Sequence, residues 1–159
     1  MLSVERTDAR SGPQVGRCLC GSITVIVDPP VSEFGICHCR SCRRWQSRPW
    51  LAIQAPHAKI EGDTLKVFRS SALAERGFCM KCGSHIFHRP VEGPDLAVSI
   101  GLFEDSDALT PNMAIFADHT PQWLHLDDKV PHYSGLMMTA IWAPKLFWRA
   151  LTRRFRRGD

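Results

Sequence analysis

A chain of 159 residues is sized for one domain, and a hydrophobic content of 44% can supply its core. No run of about 18 apolar residues occurs, which argues against a transmembrane helix, and the opening residues lack the apolar stretch of a secretory signal. The net charge of +4 is lopsided: from Gly135 onward six basic residues face Asp159 alone, while the remainder holds 14 basic and 15 acidic residues, a balance that argues against a nucleic-acid-binding domain.

Residues 1–15 read as a polar, mobile arm. Residues 16–134 read as a mainly β, mostly antiparallel domain. Ser22 to Val27 is rich in β-branched residues and stops at Asp28-Pro29-Pro30, so it predicts a strand. Further strands are expected over Trp50–Ile53, Leu65–Phe68, His85–His88, Leu96–Ile100 and Ala114–Ala117, several flanked by Gly or Pro. Helix is expected in two places only: a turn around Cys42–Gln46, and the tail over residues 135–159. Pro144 suits a first helical position. From there Phe147, Trp148, Leu151 and Phe155 share one side of a helix. Lys145, Arg149, Arg153 and Arg156 lie opposite, with Arg154 at the boundary. Such a basic amphipathic helix could lie on an anionic membrane, pack on the domain or stay solvated.

Seven cysteines fall into three tight clusters: Cys18 and Cys20; Cys37, Cys39 and Cys42; Cys79 and Cys82. Thiols this close in sequence are poor disulfide partners and good metal chelators. An odd count with no secretory signal argues for a reducing compartment, here the cytoplasm. Cys18-Leu19-Cys20 and Cys79-Met80-Lys81-Cys82 are each followed by Gly-Ser, and glycine permits a positive φ that lets backbone N–H groups approach a thiolate. The two halves pair into one four-thiolate site, a closed structural zinc. Cys37, Cys39 and Cys42 can hold a second zinc with its fourth position open, where a thiol would be deprotonated or a carbonyl polarised. Arg40, Arg43 and Arg44 add positive potential suited to thiolate formation or to carboxylates. Two other readings of this cluster stay open. His38 could close the site as a fourth ligand, although its place between two ligands points it away. The thiols could also be metal-free and redox-active.

Gly16-Arg-Cys-Leu-Cys-Gly21, Cys37-His-Cys-Arg-Ser-Cys-Arg-Arg-Trp45 and Arg76-Gly-Phe-Cys-Met-Lys-Cys-Gly83 together resemble the glutathione-dependent formaldehyde-activating enzyme family, whose domain is shared with centromere protein V. The resemblance spans roughly Gly16 to Tyr133. It implies the family's β-tent, a mainly β zinc-binding fold. It also implies a structural zinc on Cys18, Cys20, Cys79 and Cys82 and a catalytic zinc on Cys37, Cys39 and Cys42, two zinc per chain. The implied reaction joins formaldehyde and glutathione into S-hydroxymethylglutathione, a carbon–sulfur lyase or synthase activity. A later family segment of the form His-Ile-Phe-Val-Asp-x-Lys-x-Pro-Trp is matched in part. Phe116, Asp118 and Trp123 are kept, while Ala114 and Thr120 stand at its histidine and lysine positions.

Trp45, Trp50 and Trp123 are candidates for core packing or for a substrate pocket. Arg76 suits the surface, support of the metal site or a carboxylate clamp. His85, His88, His119, His125 and His132 show no spacing that suggests a metal site, and Asp105, Asp107, Asp118, Asp127 and Asp128 read as turn carboxylates. The expected function is therefore a zinc enzyme acting on the adduct of a small thiol, such as glutathione, and an aldehyde. The alternative is a non-catalytic, zinc-stabilised binding module attached through its basic tail to a membrane or a macromolecular partner.

Overall fold

A computed structural model describes residues 12–91 and 94–144. The strands are β1 (Gln14–Arg17), β2 (Thr24–Val27), β3 (Glu33–Cys37), β4 (Trp50–Gln54), β5 (Lys59–Glu61), β6 (Leu65–Arg69), β7 (Ala74–Cys79), β8 (His85–Pro90), β9 (Ala97–Ser99), β10 (Thr110–Ile115) and β11 (His132–Tyr133). One helix, α1 (Arg40–Gln46), links β3 to β4, and a second, α2, covers residues 135–144. The fold is mainly β, as expected.

Three strands form a small sheet, ordered β1-β2-β5, and eight form a large one, ordered β11-β10-β3-β4-β9-β8-β7-β6. The sheets share one core. Ile23, Val25 and Val27 come from the β2 side, and Ile53, Ile86, Phe87 and Val98 from β4, β8 and β9. Removing such apolar area from water is the main stabilising term, about 25 cal/mol per Å².

Most pairs are antiparallel, but β10 runs parallel to β3 and to β11. Those pairings need long connections that local alternation cannot reveal. Strand formation also starts earlier than expected: Gln14 and Val15 belong to β1, and the buried Gln14 side chain accepts a bond from Val31 N–H at 2.7 Å.

α2 corrects the expected helix start. It begins at residue 135, not at Pro144. Ser134 supplies the cap, its Oγ accepting from Met137 N–H at 3.3 Å, and Asp118 Oδ1 accepts from Gly135 N–H at 2.7 Å. Met138 is buried and Trp142 lies edge-on to Phe116, while Leu136, Met137 and Ile141 stay exposed. The basic positions from Lys145 onward lie outside the described residues. Among the described residues no helix is long and apolar enough to cross a membrane.

Candidate metal centres

The first cluster forms where two sharp turns meet. Cys18 follows β1, and Cys79 ends β7. Each cysteine donates its N–H across its own turn, Cys18 to Ile23 O at 3.1 Å and Cys79 to Ser84 O at 2.9 Å. Each turn is closed by a left-handed glycine, Gly21 at φ +74° and Gly83 at φ +76°, whose N–H groups bond Cys18 O and Cys79 O. The turns are near copies of each other. Leu19 N–H donates to Ser84 Oγ at 3.0 Å and ties one to the other.

The four sulfurs of Cys18, Cys20, Cys79 and Cys82 lie within 4.8 Å of one another. Cys18 and Cys20 Sγ are 3.6 Å apart, and Cys20 and Cys79 Sγ 3.8 Å. Tetrahedral zinc with Zn–S bonds near 2.3 Å would require sulfur separations of about 3.8 Å. The donor set therefore fits. Donors surround the thiols: Ile23 N–H reaches Cys18 Sγ at 3.2 Å, and the Ser22 and Thr64 hydroxyls each lie 3.4 Å from Cys79 Sγ. Those two hydroxyls, Ser22 first, draw the Cys79 thiol down to about 5.

The second cluster sits at the β3–α1–β4 junction. Cys37 ends β3 opposite Trp50, Cys39 caps α1 and Cys42 lies on its first turn. Cys39 Sγ accepts from Cys42 N–H at 3.5 Å. The sulfurs of Cys37, Cys39 and Cys42 also lie within 4.8 Å of one another, and among the described residues no further Cys, His, Asp or Glu donor joins them. Trp50, Ala52 and Ala97 pack around them. Hydrogen bonds from the Cys37 and Cys42 thiols, helped by Arg76, pull the Cys39 thiol down to about 2, and Cys37 is pushed strongly up in exchange. A trio in which one sulfur gives up its proton readily suits a cation.

His38 does not join these donors. It is wholly buried, and its Nδ1 meets Thr120 Oγ1 at 3.2 Å. Arg40 and Arg44 are exposed on α1, and Arg43 is half-buried. Arg76 is not at the surface, one of its three expected places, but beside the second cluster: it is only 5% exposed. Its Nη2 donates to Cys42 Sγ at 3.6 Å, and its guanidinium lies 4.7 Å from the Trp45 ring centre. Cys42, Trp45, Gln46, Trp50, His85 and Phe87 close around Arg76 and leave no room for a water molecule. A carboxylate clamp at Arg76 is therefore shut off in this structure. Trp45 and Trp50 belong to this packed wall, whereas Trp123 is exposed. His85 packs edge-on against Trp45 and His88 against Trp50. Burial, with Arg76 nearby, holds His88 down at about 4.

A family model described as "Glutathione-dependent formaldehyde-activating enzyme" matches residues 13–119. A curated relative, an uncharacterized lyase of Schizosaccharomyces pombe (strain 972), is 29% identical over 125 residues, covering 75% of this chain and 89% of its own. A crystal structure of a Rhodobacter sphaeroides protein, a structural genomics target, superposes with a TM-score of 0.50 at 21% identity. It covers 61% of this chain and 98% of its own, and bears on the fold alone.

Proposed function

This chain belongs to the glutathione-dependent formaldehyde-activating enzyme family, and we propose that it is a zinc-dependent carbon–sulfur lyase working at Cys37, Cys39 and Cys42. The observation that carries this reading is the gathering of three thiols, with no fourth protein donor among the described residues, apart from the complete set of four. The name of the yeast relative, a lyase, agrees with it. A reducing setting such as the cytoplasm is part of this proposal, from the odd cysteine count of the sequence.

Cys18, Cys20, Cys79 and Cys82 would hold a structural zinc, and Cys37, Cys39 and Cys42 a reactive one. Bound there, zinc supplies a Lewis acid that lowers the pKa of a thiol. The reaction joins a small thiol to an aldehyde: a carbon–sulfur bond forms, the carbonyl π bond breaks, and the thiol proton ends on the new hydroxyl. The reverse releases both partners. Trp50, Ala52 and Ala97 keep the inner side of the trio dry. Arg40, Arg43 and Arg44, all on α1, would receive the carboxylates of a thiol such as glutathione.

The test is exchange spectroscopy by NMR on formaldehyde and glutathione with the zinc-loaded chain. Accelerated exchange, abolished in Cys39→Ser, supports the reading. No acceleration at full zinc loading rejects this substrate pair and favours a zinc-stabilised binding module.

A further inference from the structure

Arg76 poses an electrostatic question that the reaction alone does not answer. A buried cation is costly unless an anion compensates it. Among the described residues no carboxylate pairs with Arg76: Glu75, its neighbour, is taken by Arg89 at 3.0 Å. What Arg76 does touch is Cys42 Sγ on one side and the face of Trp45 on another. The charge it faces is therefore the charge of the thiol trio.

We infer that Arg76 is the built-in countercharge of the Cys37–Cys39–Cys42 centre, and that through Cys42 it sets which class of fourth ligand the centre accepts, an anionic thiolate over a neutral nitrogen donor. The inference rests on the reading that this trio holds a divalent metal. Three thiolates and one divalent ion leave a single negative charge, which Arg76 cancels. A fourth ligand arriving as thiolate restores one negative charge, whereas without the arginine it would leave two. In an interior of low effective dielectric that difference opposes binding strongly. A neutral ligand such as imidazole changes no charge and should not register it.

The geometry assigns this role to position, not to substrate contact. The guanidinium is walled in by Trp45, Trp50, His85 and Phe87 with no water-sized space beside it. Its Cζ sits over the Trp45 ring at 4.7 Å while Nη2 reaches Cys42 Sγ at 3.6 Å. The four-cysteine cluster is built differently. Its sulfurs are met by Ile23 N–H and by the hydroxyls of Ser22, Thr64 and Ser84. That is the pattern of a closed site left with its own charge, and it provides an internal control in the same chain.

The test uses the full chain loaded with cobalt(II) in both sites. 2-Mercaptoethanol and imidazole are titrated separately, and the thiolate-to-cobalt and ligand-field bands are followed. In Arg76→Gln the Kd for 2-mercaptoethanol should rise by about tenfold or more, while that for imidazole should stay within about twofold. Arg76→Lys, which keeps the charge but loses the planar reach, should fall between. If Arg76→Gln does not fold, Arg76→Lys decides alone, with an expected rise of about threefold for the thiol only. A two-cobalt chain whose thiol-to-imidazole preference does not move overturns this inference and leaves the metal reading intact. A wild-type chain that takes up only one cobalt overturns the metal reading, and this inference with it.

Discussion

The His38 ring and the Thr120 hydroxyl meet at 3.2 Å, joining the cysteine trio to the segment after β10. His38 lies between Cys37 and Cys39 and has no exposure to solvent. Its N–H also bonds Ile115 O at 3.0 Å. The residue is thus pinned through backbone and side chain, and its neighbours in sequence are the thiols. Thr120 thus holds the imidazole from outside the cysteine loop.

Thr120→Val keeps the shape and removes the hydroxyl. A neutral buried hydrogen bond contributes about 1 kcal/mol, which in a domain of this size lowers Tm by roughly 2–4 °C. His38→Ala removes the same bond and also leaves a cavity, so it should cost about 2–4 kcal/mol. Thermal melts of both single variants and the double variant check this. The double variant should lose less than the sum, because both changes delete one shared contact.

The two cysteine sites should respond differently to loss of a sulfur. Structural zinc contributes on the order of 10 kcal/mol to small domains, comparable to the whole stability of a typical fold. Cys79→Ser should therefore fail to fold, or lose its cooperative melt. Cys39→Ser should stay folded with one metal fewer. Melting curves paired with metal analysis of both variants give the comparison, and equal behaviour would contradict the division of roles.

Gly83 offers a cleaner probe of the turn. Its φ is +76°, and a Cβ there would meet nothing within 4 Å. Gly83→Ala thus carries no clash, only the cost of a left-handed backbone, about 1–2 kcal/mol. Gly83→Asn, a residue that tolerates this conformation, should recover part of it. The rate of zinc loss to a chelator should follow the order Ala, then Asn, then wild type, fastest first.

His88 predicts a pH dependence. Burial holds its pKa at about 4, below the 6.5 of an unhindered histidine, so the folded chain resists protonation there. Between those two values the unfolded chain binds the extra proton, and stability falls as pH falls. Its contribution is complete above about pH 6.5 and lost by about pH 4, at most on the order of 3 kcal/mol. Denaturant melts of wild type and His88→Gln across this window should show the shallower fall in the variant.

The grouping of the cysteines was legible in the sequence because each turn is local. Cys79 and Cys82 share one turn, as do Cys18 and Cys20, and matching Gly-Ser pairs marked the halves as partners although Cys20 and Cys79 stand 59 positions apart. Strands β2, β4, β6 and β8 were legible from β-branched and aromatic runs. β3 was not: Glu33-Phe-Gly-Ile-Cys37 is short with a glycine at its centre, and it owes its place to its parallel partner β10 and its antiparallel partner β4. The burial of Arg76 was hidden for a similar reason. Its contact, Cys42 Sγ, lies 34 positions away, so the sequence left the surface, support of the cysteine cluster and a carboxylate clamp all open for it. For α2, Ser134 was the cap signal, and the more conspicuous Pro144 drew the predicted start ten residues downstream of it.

The most direct measurement is metal content by mass spectrometry on purified, fully reduced protein. Two zinc per chain in the wild type, and one in Cys39→Ser with the fold retained, is the predicted result. A folded wild-type chain that carries no metal would contradict the account at its base.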